Sequence, residues 1–427
     1  MGKLHRFFFY LTIVLLPTQL GLHFWPQWAS VLGRRIDYLS PTIYVTDVLI
    51  FLVLSSWSIE LLKTRHSRGG GNPSSIKTGS PIKSGMTRGT NFILVLLFVG
   101  INVFLATNKP VALFHWLKVL ECALLGYYSI RTKPSTSVII YLLSLAIFYS
   151  SLIAILQFIL QHSIGGPFWF LGERTFTNQS PGIAQINWCF PNVSQCRLLL
   201  RPYATFPHPN VLGGFLAITL PLLINQLTNK KITRLFFSTT ILLGIIALAL
   251  TFSRSAWIIG LLGIGWVLFH FKPKFFIPFA IIIFLLLGIL IKNFDPVSES
   301  VVVRQQLNSA AITMWRASPL FGVGLGNFLV ELPKNLPSRT IYFLQPVHNI
   351  YLLLLSETGI VGLGSFLLLL WYIFQRIRNS KFKTSIVALL LLGLVDHYLL
   401  TLQQGQLLFT LFLSLSLLKK FDPAGRD

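Results

Sequence analysis

Long apolar runs separated by short polar, mostly basic clusters set the pattern of this chain. Stretches such as 137–159, 235–251, 275–291 and 384–400 are apolar over the roughly 20 residues a helix needs to cross a bilayer. Backbone groups find no water in hydrocarbon, so runs of this kind must be helical. The pattern predicts spans near 7–24, 42–62, 91–107, 111–130, 137–160, 209–228, 235–252, 256–271, 275–291, 347–373, 384–401 and 405–418. The fold class expected is all-α: a polytopic integral membrane protein of about twelve transmembrane helices in a single domain over 1–427, with a large loop between spans nine and ten.

The segments between the runs differ in kind. Residues 63–90 are rich in Gly, Ser, Pro and basic residues without apolar periodicity, and are expected to be a flexible basic cytoplasmic linker. Two connections are long, 161–208 and 292–347, and loops of that size usually carry function. Within the second, 302–317 places apolar residues at helical spacing, which predicts an amphipathic helix lying along the outer membrane surface. The first run, from Phe7 to about Trp25, follows Lys3 and Arg6 like a signal peptide but has no small-residue cleavage site, so it reads as a retained first helix.

Composition agrees and removes alternatives. Hydrophobic types make up 53% and charged types 11% of 427 residues, which excludes an ordinary soluble domain. The net charge of +23 could suggest nucleic acid, but the Lys and Arg residues sit in clusters between apolar runs, as membrane topology requires. The alternate loops that carry most of them place both termini in the cytoplasm and both long loops outside. No internal repeat is evident, which weakens a transporter or lipid flippase built from two symmetric halves.

Cys189 and Cys196 share the first long loop, where an oxidising compartment would permit a disulfide; Cys122 falls in a helix and reads as packing. Asn178 and Asn192 open N-x-S sequons, too common by chance to carry weight.

Polar residues placed where polarity is costly are the candidates for chemistry. Arg254, in TFSRSAW, lies in a nearly absent outer connection and would face an outward cavity or act as a snorkelling anchor. Arg304 begins the amphipathic stretch, either as a bidentate phosphate clamp or as a solvated loop arginine. His348, followed by Asn349, sits at the mouth of the tenth span, as a base for an alcohol or as an interfacial histidine satisfied by water. In LRPYATFPHPNVLGGFL, Arg201, His208 and Asn210 lead into the sixth span, Pro207 and Pro209 stiffen the approach, and Gly213 and Gly214 allow close helix contact. The glycine-rich stretch Gly322 to Gly326 could offer backbone N–H groups to an anion. No D-x-D pair, HExxH or Cys/His cluster with metal spacing is visible, so neither a metal nor another cofactor is expected. Arginines that hold a leaving group and one base that activates an acceptor suit a membrane enzyme acting on a lipid diphosphate.

Three blocks together, TFSRSAW, VRQQLNSAAITMWRASPLFGVGLGNF and VHNIYLLLLSETGIVGLGSF, resemble the O-antigen ligase and O-antigen polymerase superfamily of lipid-linked glycan transferases. TFPHPNVLGGFLAITLPL is similar to a further segment of that family, and the resemblance covers about 205–375. It implies a metal-independent, inverting transfer of a glycan from undecaprenyl diphosphate to a glycan, lipid or protein hydroxyl, at the outer face of a bacterial inner membrane. Arg254 and Arg304 would engage the diphosphate and His348 would be the base, with Arg201, His208, Asn210 and Asn349 as substrate contacts. The serine-arginine motif departs from the family in continuing Ser255-Ala256 where the family has Gly, and the large loop is modest in length. Ligase, repeat-unit polymerase and protein O-glycosyltransferase all remain open, as does a base on the first outer loop, at Asp37 or Asp47.

Overall fold

The computed structural model describes residues 3–68, 85–188, 196–224, 226–227, 231–271, 273–278, 280, 299–336, 344–377 and 382–418. Most of the expected ninth span and the middle of the expected linker lie outside them, as does Cys189. The helices are α1 Leu4–Val14, α2 Val45–Arg68, α3 Gly85–Leu105, α4 Lys109–Thr132, α5 Thr136–Leu160, α6 Pro209–Ile224, α7 Lys231–Leu250, α8 Arg254–Phe271, α9 Glu299–Ala317, α10 Ile350–Gln375, α11 Lys383–Leu392 and α12 Gln403–Ser416. Among the described residues, three small antiparallel two-stranded sheets decorate the loops: β1 Gly21–His23 with β4 Thr42–Tyr44, β2 Ser30–Val31 with β3 Arg34–Arg35, and β5 Gln185–Trp188 with β6 Arg197–Leu200.

Among the described residues, five helices are long and apolar enough to cross a membrane: Val45–Thr64, Lys109–Thr132, Thr136–Leu160, Thr233–Leu250 and Ile350–Gln375. The chain is a mainly helical membrane protein, and other expected spans appear as shorter apolar helices. The first run is helical only to Val14, because Pro17 follows and the chain then turns into β1. The run 384–401 is broken: α11 stops at Leu392, and 393–397 are non-helical. Helix α2 continues to Arg68 and α3 begins at Gly85, so the described ends of the expected linker 63–90 are helical.

Helix α6 is the centre of the bundle, buried at every position from Val211 to Ile224 and packed against α5, α7, α8 and α11. Such burial needs small residues at the contacts. A Cβ on Gly213 would come within 2.9 Å of the Ala256 methyl, and one on Gly214 within 1.5 Å of the Tyr398 hydroxyl.

The apolar stripe of α9 is covered by the protein's own chain. Leu307, Ala310, Ala311 and Met314 recur at i, i+3, i+4 and i+7, and they pack with Ala29, Val31, Ile36 and Leu39 of the 21–44 segment and with Phe328 and Leu329. A helix is present where 302–317 was expected to form one, over Glu299–Ala317. Its apolar face was legible, but its partner is the first loop, with an apolar surface that spares the stripe from needing lipid.

Helix α10 is interrupted. Gly359 has φ +66° and ψ −169°, which breaks the i to i−4 ladder and would orphan the carbonyls of Ser356 and Glu357 and the N–H groups of Ile360 and Val361. The strap 319–324 meets all four. Val323 and Gly324 donate to the Ser356 and Glu357 carbonyls at 3.0 Å each, while Ile360 and Val361 donate to the Pro319 and Leu320 carbonyls at 2.9 and 3.3 Å. Buried Asn102 locks the join, donating to the Phe321 and Glu357 carbonyls at 2.8 and 3.0 Å and accepting from Leu325 N–H at 3.0 Å and Trp116 Nε1–H at 2.8 Å.

A side chain at 359 would place Cβ 2.2 Å from the Leu320 carbonyl oxygen, on top of the about 1–3 kcal/mol that a left-handed φ costs a non-glycine residue. Gly359→Ala is therefore expected to lower the melting temperature of the detergent-solubilised protein clearly. On the same helix Gly364 has open space around its Cβ position, and Gly364→Ala should be neutral or slightly stabilising. Equal effects of the two changes would refute the strap as a structural requirement.

Candidate functional site

The approach to α6 is fixed by two buried side chains. Glu173 accepts from Ile164 N–H at 2.7 Å, Gly165 N–H at 2.8 Å and Gln157 Nε2 at 2.8 Å, so its charge is spent on the loop's own backbone. Gln157 in turn accepts from Tyr203 and Ala204 N–H at 3.0 and 2.8 Å. The 201–210 segment is thereby held to α5. From there Arg201 donates through Nε to the Thr251 carbonyl and through an Nη2 to Asn210 Oδ1, both at 2.7 Å. Burial lowers the Arg201 guanidinium to about 10, which leaves it cationic. It ties the turn before Arg254 to the start of α6. His208 Nδ1 accepts from Asn210 N–H at 3.1 Å, a role only an unprotonated nitrogen can fill, so Nε2 carries the hydrogen. Burial, and then the Arg201 charge, push His208 down to about 4.

On the other side, His348 precedes α10. Asn349 accepts from Tyr351 and Leu352 N–H at 2.9 and 3.1 Å; its side-chain oxygen is the helix cap and is not left for a substrate. The start of α10 abuts the end of α11, because Ile350 N–H donates to the Gly393 carbonyl at 2.8 Å. The break after α11 therefore places Asp396 and His397 beside His348. Asp396 Oδ1 lies 3.6 Å from His348 Nδ1 and accepts from His397 N–H at 2.8 Å. The two imidazole rings are 5.1 Å apart. Arg304 reaches the same corner from α9, donating to the Val395 carbonyl at 3.3 Å.

These groups open on one cavity of about 630 Å³, lined by residues that include Asp37, Tyr38, Lys118, Arg174, His208, Asn210, Gln345, His348, Asp396, His397 and Gln403. Tyr38 packs edge-on to His397 at 5.5 Å, and burial, then the Asp396 charge, raise its hydroxyl well above the ordinary phenol range. It is thus a neutral donor. At another part of the wall Lys118 pairs with Asp47 and, at 3.2 Å, with Glu121. Asp47 also accepts from Gln403 and from Tyr44 N–H at 2.9 Å. Its charge is thus engaged inside the protein, while Asp37 lines the cavity.

Of the residues singled out from sequence, the structure brings His208, Asn210 and His348 to the cavity wall. Arg201 and Arg304 stand directly behind it through the contacts above. Arg254 opens α8, exposed, and is not among the lining residues. Cys196 is disulfide-bonded and Cys122 is free. The glycine-rich stretch has its acceptors already: Glu357 accepts Phe328 N–H at 3.1 Å as well as a bond from Gly326, and the N–H groups of residues 322–325 serve Ser318, Ser356, Glu357 and Asn102. No N–H in that set is left over for a ligand. Sequence reasoning missed Asp396 and His397. An acid inside the apolar run LLGLVDHYLL is costly and was a usable signal; its pairing with His348 was not, because it depends on a helix break.

The geometry can be set beside known proteins. Residues 239–367 match a family described as O-antigen ligase, a region that contains Arg254, Arg304 and His348. The chain is also 25% identical over 240 residues to a general O-oligosaccharyltransferase of Acinetobacter baylyi. That similarity covers 50% of this chain and 42% of the relative, so the chain spans less than half the length of the curated protein it matches. No solved structure gives a significant match. Over these residues the chain is thus similar to the O-antigen ligase family and to that oligosaccharyltransferase.

Proposed function

We propose that this chain is a membrane glycosyltransferase of the O-antigen ligase type, moving a glycan from undecaprenyl diphosphate to an acceptor hydroxyl at the outer face of a bacterial inner membrane. The observation that carries the proposal is the His348–Asp396 pair, 3.6 Å apart on a cavity wall, inside and just beyond the family-matching region. The relative's name favours an oligosaccharide as the group transferred. The full topology that goes with this reading has twelve spans, cytoplasmic termini and both long loops outside.

In the reaction, His348 takes the proton of the acceptor hydroxyl as its oxygen attacks the anomeric carbon from the face opposite the diphosphate. The bond from that carbon to the diphosphate oxygen breaks, and the lipid diphosphate leaves with the electron pair, inverting the centre. Asp396 is a positioning residue: it orients the imidazole and stabilises the imidazolium that forms, as a carboxylate does in a catalytic triad. Arg254 and Arg304 act on charge that grows at the leaving group, where a fixed cation contributes most. Neutral His208 offers an Nε2–H to the same oxygens without adding charge. No step calls for a metal.

Transfer from a lipid-diphosphate glycan should therefore continue in EDTA. His348→Ala should lower kcat by about 10²–10⁴-fold, and Arg254→Ala and Arg304→Ala by about 10²–10³-fold, measured as product formed in vitro. Transfer that persists in His348→Ala would move the base to Asp37.

A second outcome follows from His208. Between about 6.5 and about 4 the unfolded chain binds a proton that the folded site excludes, so this group's contribution is fully present above pH 6.5 and is lost as pH falls through that window. His208→Gln should flatten part of the acid-side decline in melting temperature; an unchanged profile would mean that His208 is readily protonated in the folded protein.

A further inference from the structure

We propose that His348, Asp396 and His397 form a binding site for Zn²⁺ or a similar borderline divalent ion, whose occupation silences the transferase by withdrawing His348 from proton transfer. The inhibitory half rests on the reading of His348 as base; the binding half does not. The set joins residues far apart in sequence, so no ligand spacing advertises it.

The three side chains offer one donor atom each, all within 4.8 Å of one another. A tetrahedral ion with bonds of about 2.0–2.2 Å sets its ligands roughly 3.4 Å apart, so the donors close by about 1 Å through side-chain rotation. Two observations favour that closure. The Nδ1 atom of His348 is buried and has no hydrogen-bond partner; at 3.6 Å from Asp396 it lacks the contact that an ion between them would supply.

The second observation is the tautomer of His397. Thr401 has a single hydroxyl hydrogen, and the tautomer that suits a metal is the one in which it goes to the His397 carbonyl at 3.2 Å. In that arrangement its oxygen, 2.7 Å from His397 Nδ1, accepts, Nδ1 carries the hydrogen and Nε2 keeps the lone pair that a metal needs. The hydrogen bond to Thr401 and the 2.8 Å bond from His397 N–H to Asp396 are the kind of supporting contacts that orient metal ligands.

The donor set selects the ion. Two imidazoles and one carboxylate suit Zn²⁺, Cu²⁺ or Ni²⁺, whereas Mg²⁺ demands an octahedron of oxygens. All three residues line the cavity, so the fourth position stays open to water or a ligand oxygen. Arg304, held at the neighbouring Val395 carbonyl, opposes a cation. The site is accordingly weaker than a closed structural zinc site and is emptied by chelators.

The test uses the full chain, metal-stripped in detergent, with Zn²⁺ alone as the probe. Equilibrium dialysis with elemental analysis should find a saturable site whose dissociation constant rises at least about tenfold in His397→Gln and in the conservative Asp396→Asn. It should be unchanged in His162→Ala, an exposed histidine elsewhere. Zinc affinity that is the same in wild type and both site variants would overturn the site, whether or not transfer has been detected. In the transfer assay Zn²⁺ should inhibit the wild type, Mg²⁺ should not, and EDTA should restore activity. Zinc bound at this site without inhibition, or required for transfer, would overturn the silencing role.

Discussion

The break in α10 at Gly359 is the constraint on which the site depends. A helix opened within an apolar span exposes backbone groups that lipid cannot satisfy, at a cost of several kcal/mol each. Here a strap from the second long loop takes up every one of the four, and Glu357 closes the loop that follows by accepting Phe328 N–H. The long loop is thereby fastened to the middle of the helix whose first turn lies next to His348. At that first turn the Asn349 cap and the bond from Ile350 N–H to Gly393 fix the other end. The segment that carries His348 is thereby fixed at its neighbours Asn349 and Ile350, which suits the role of base proposed for it. The interruption is what lets a loop, and through it α9 with Arg304, keep its register against the bundle.

Much of this was legible in the chain. Apolar runs located helices, the 3.6-residue stripe of α9 located its buried face, and the motif blocks brought attention to Arg254, Arg304 and His348. What failed did so for identifiable reasons. Hydropathy averages over a window, so a non-helical turn at 393–397 inside an apolar run left no trace in it, although the isolated Asp396 did. The glycines from Gly322 to Gly326 correctly signalled left-handed backbone, since Gly322, Gly324 and Gly326 all have positive φ. Glycine says that N–H groups can converge and not on what; apart from the Ser318 carbonyl that takes Gly322 N–H, the acceptors lie 29 or more residues away in the chain. The partner of the α9 stripe was hidden in the same way. Amphipathic periodicity reports that a face is buried, while lipid and protein look alike to it.

The distribution of charge in the cavity bears on what kind of machine this is. A transport pathway needs ionisable groups that can change partners along a route through the membrane. Lys118, Asp47 and Glu121 are placed deep enough to raise that reading, but Lys118 bridges the two acids, and Asp47 is further held by Gln403 and by Tyr44 N–H. Withdrawing Lys118 would leave its buried partner Asp47 without a cation, which typically costs about 3–5 kcal/mol. The set is built to stay put. Around His348 the arrangement is the opposite among the described residues, with a ring nitrogen lacking a partner, a carboxylate just beyond hydrogen-bond distance, and an arginine with a 3.3 Å bond to a carbonyl. Strain-free, fully bonded polar groups stabilise a fold, and underbonded ones bind something. On that argument the His348 corner suits the substrate chemistry proposed for it, and the Lys118 cluster is part of the wall of the same cavity.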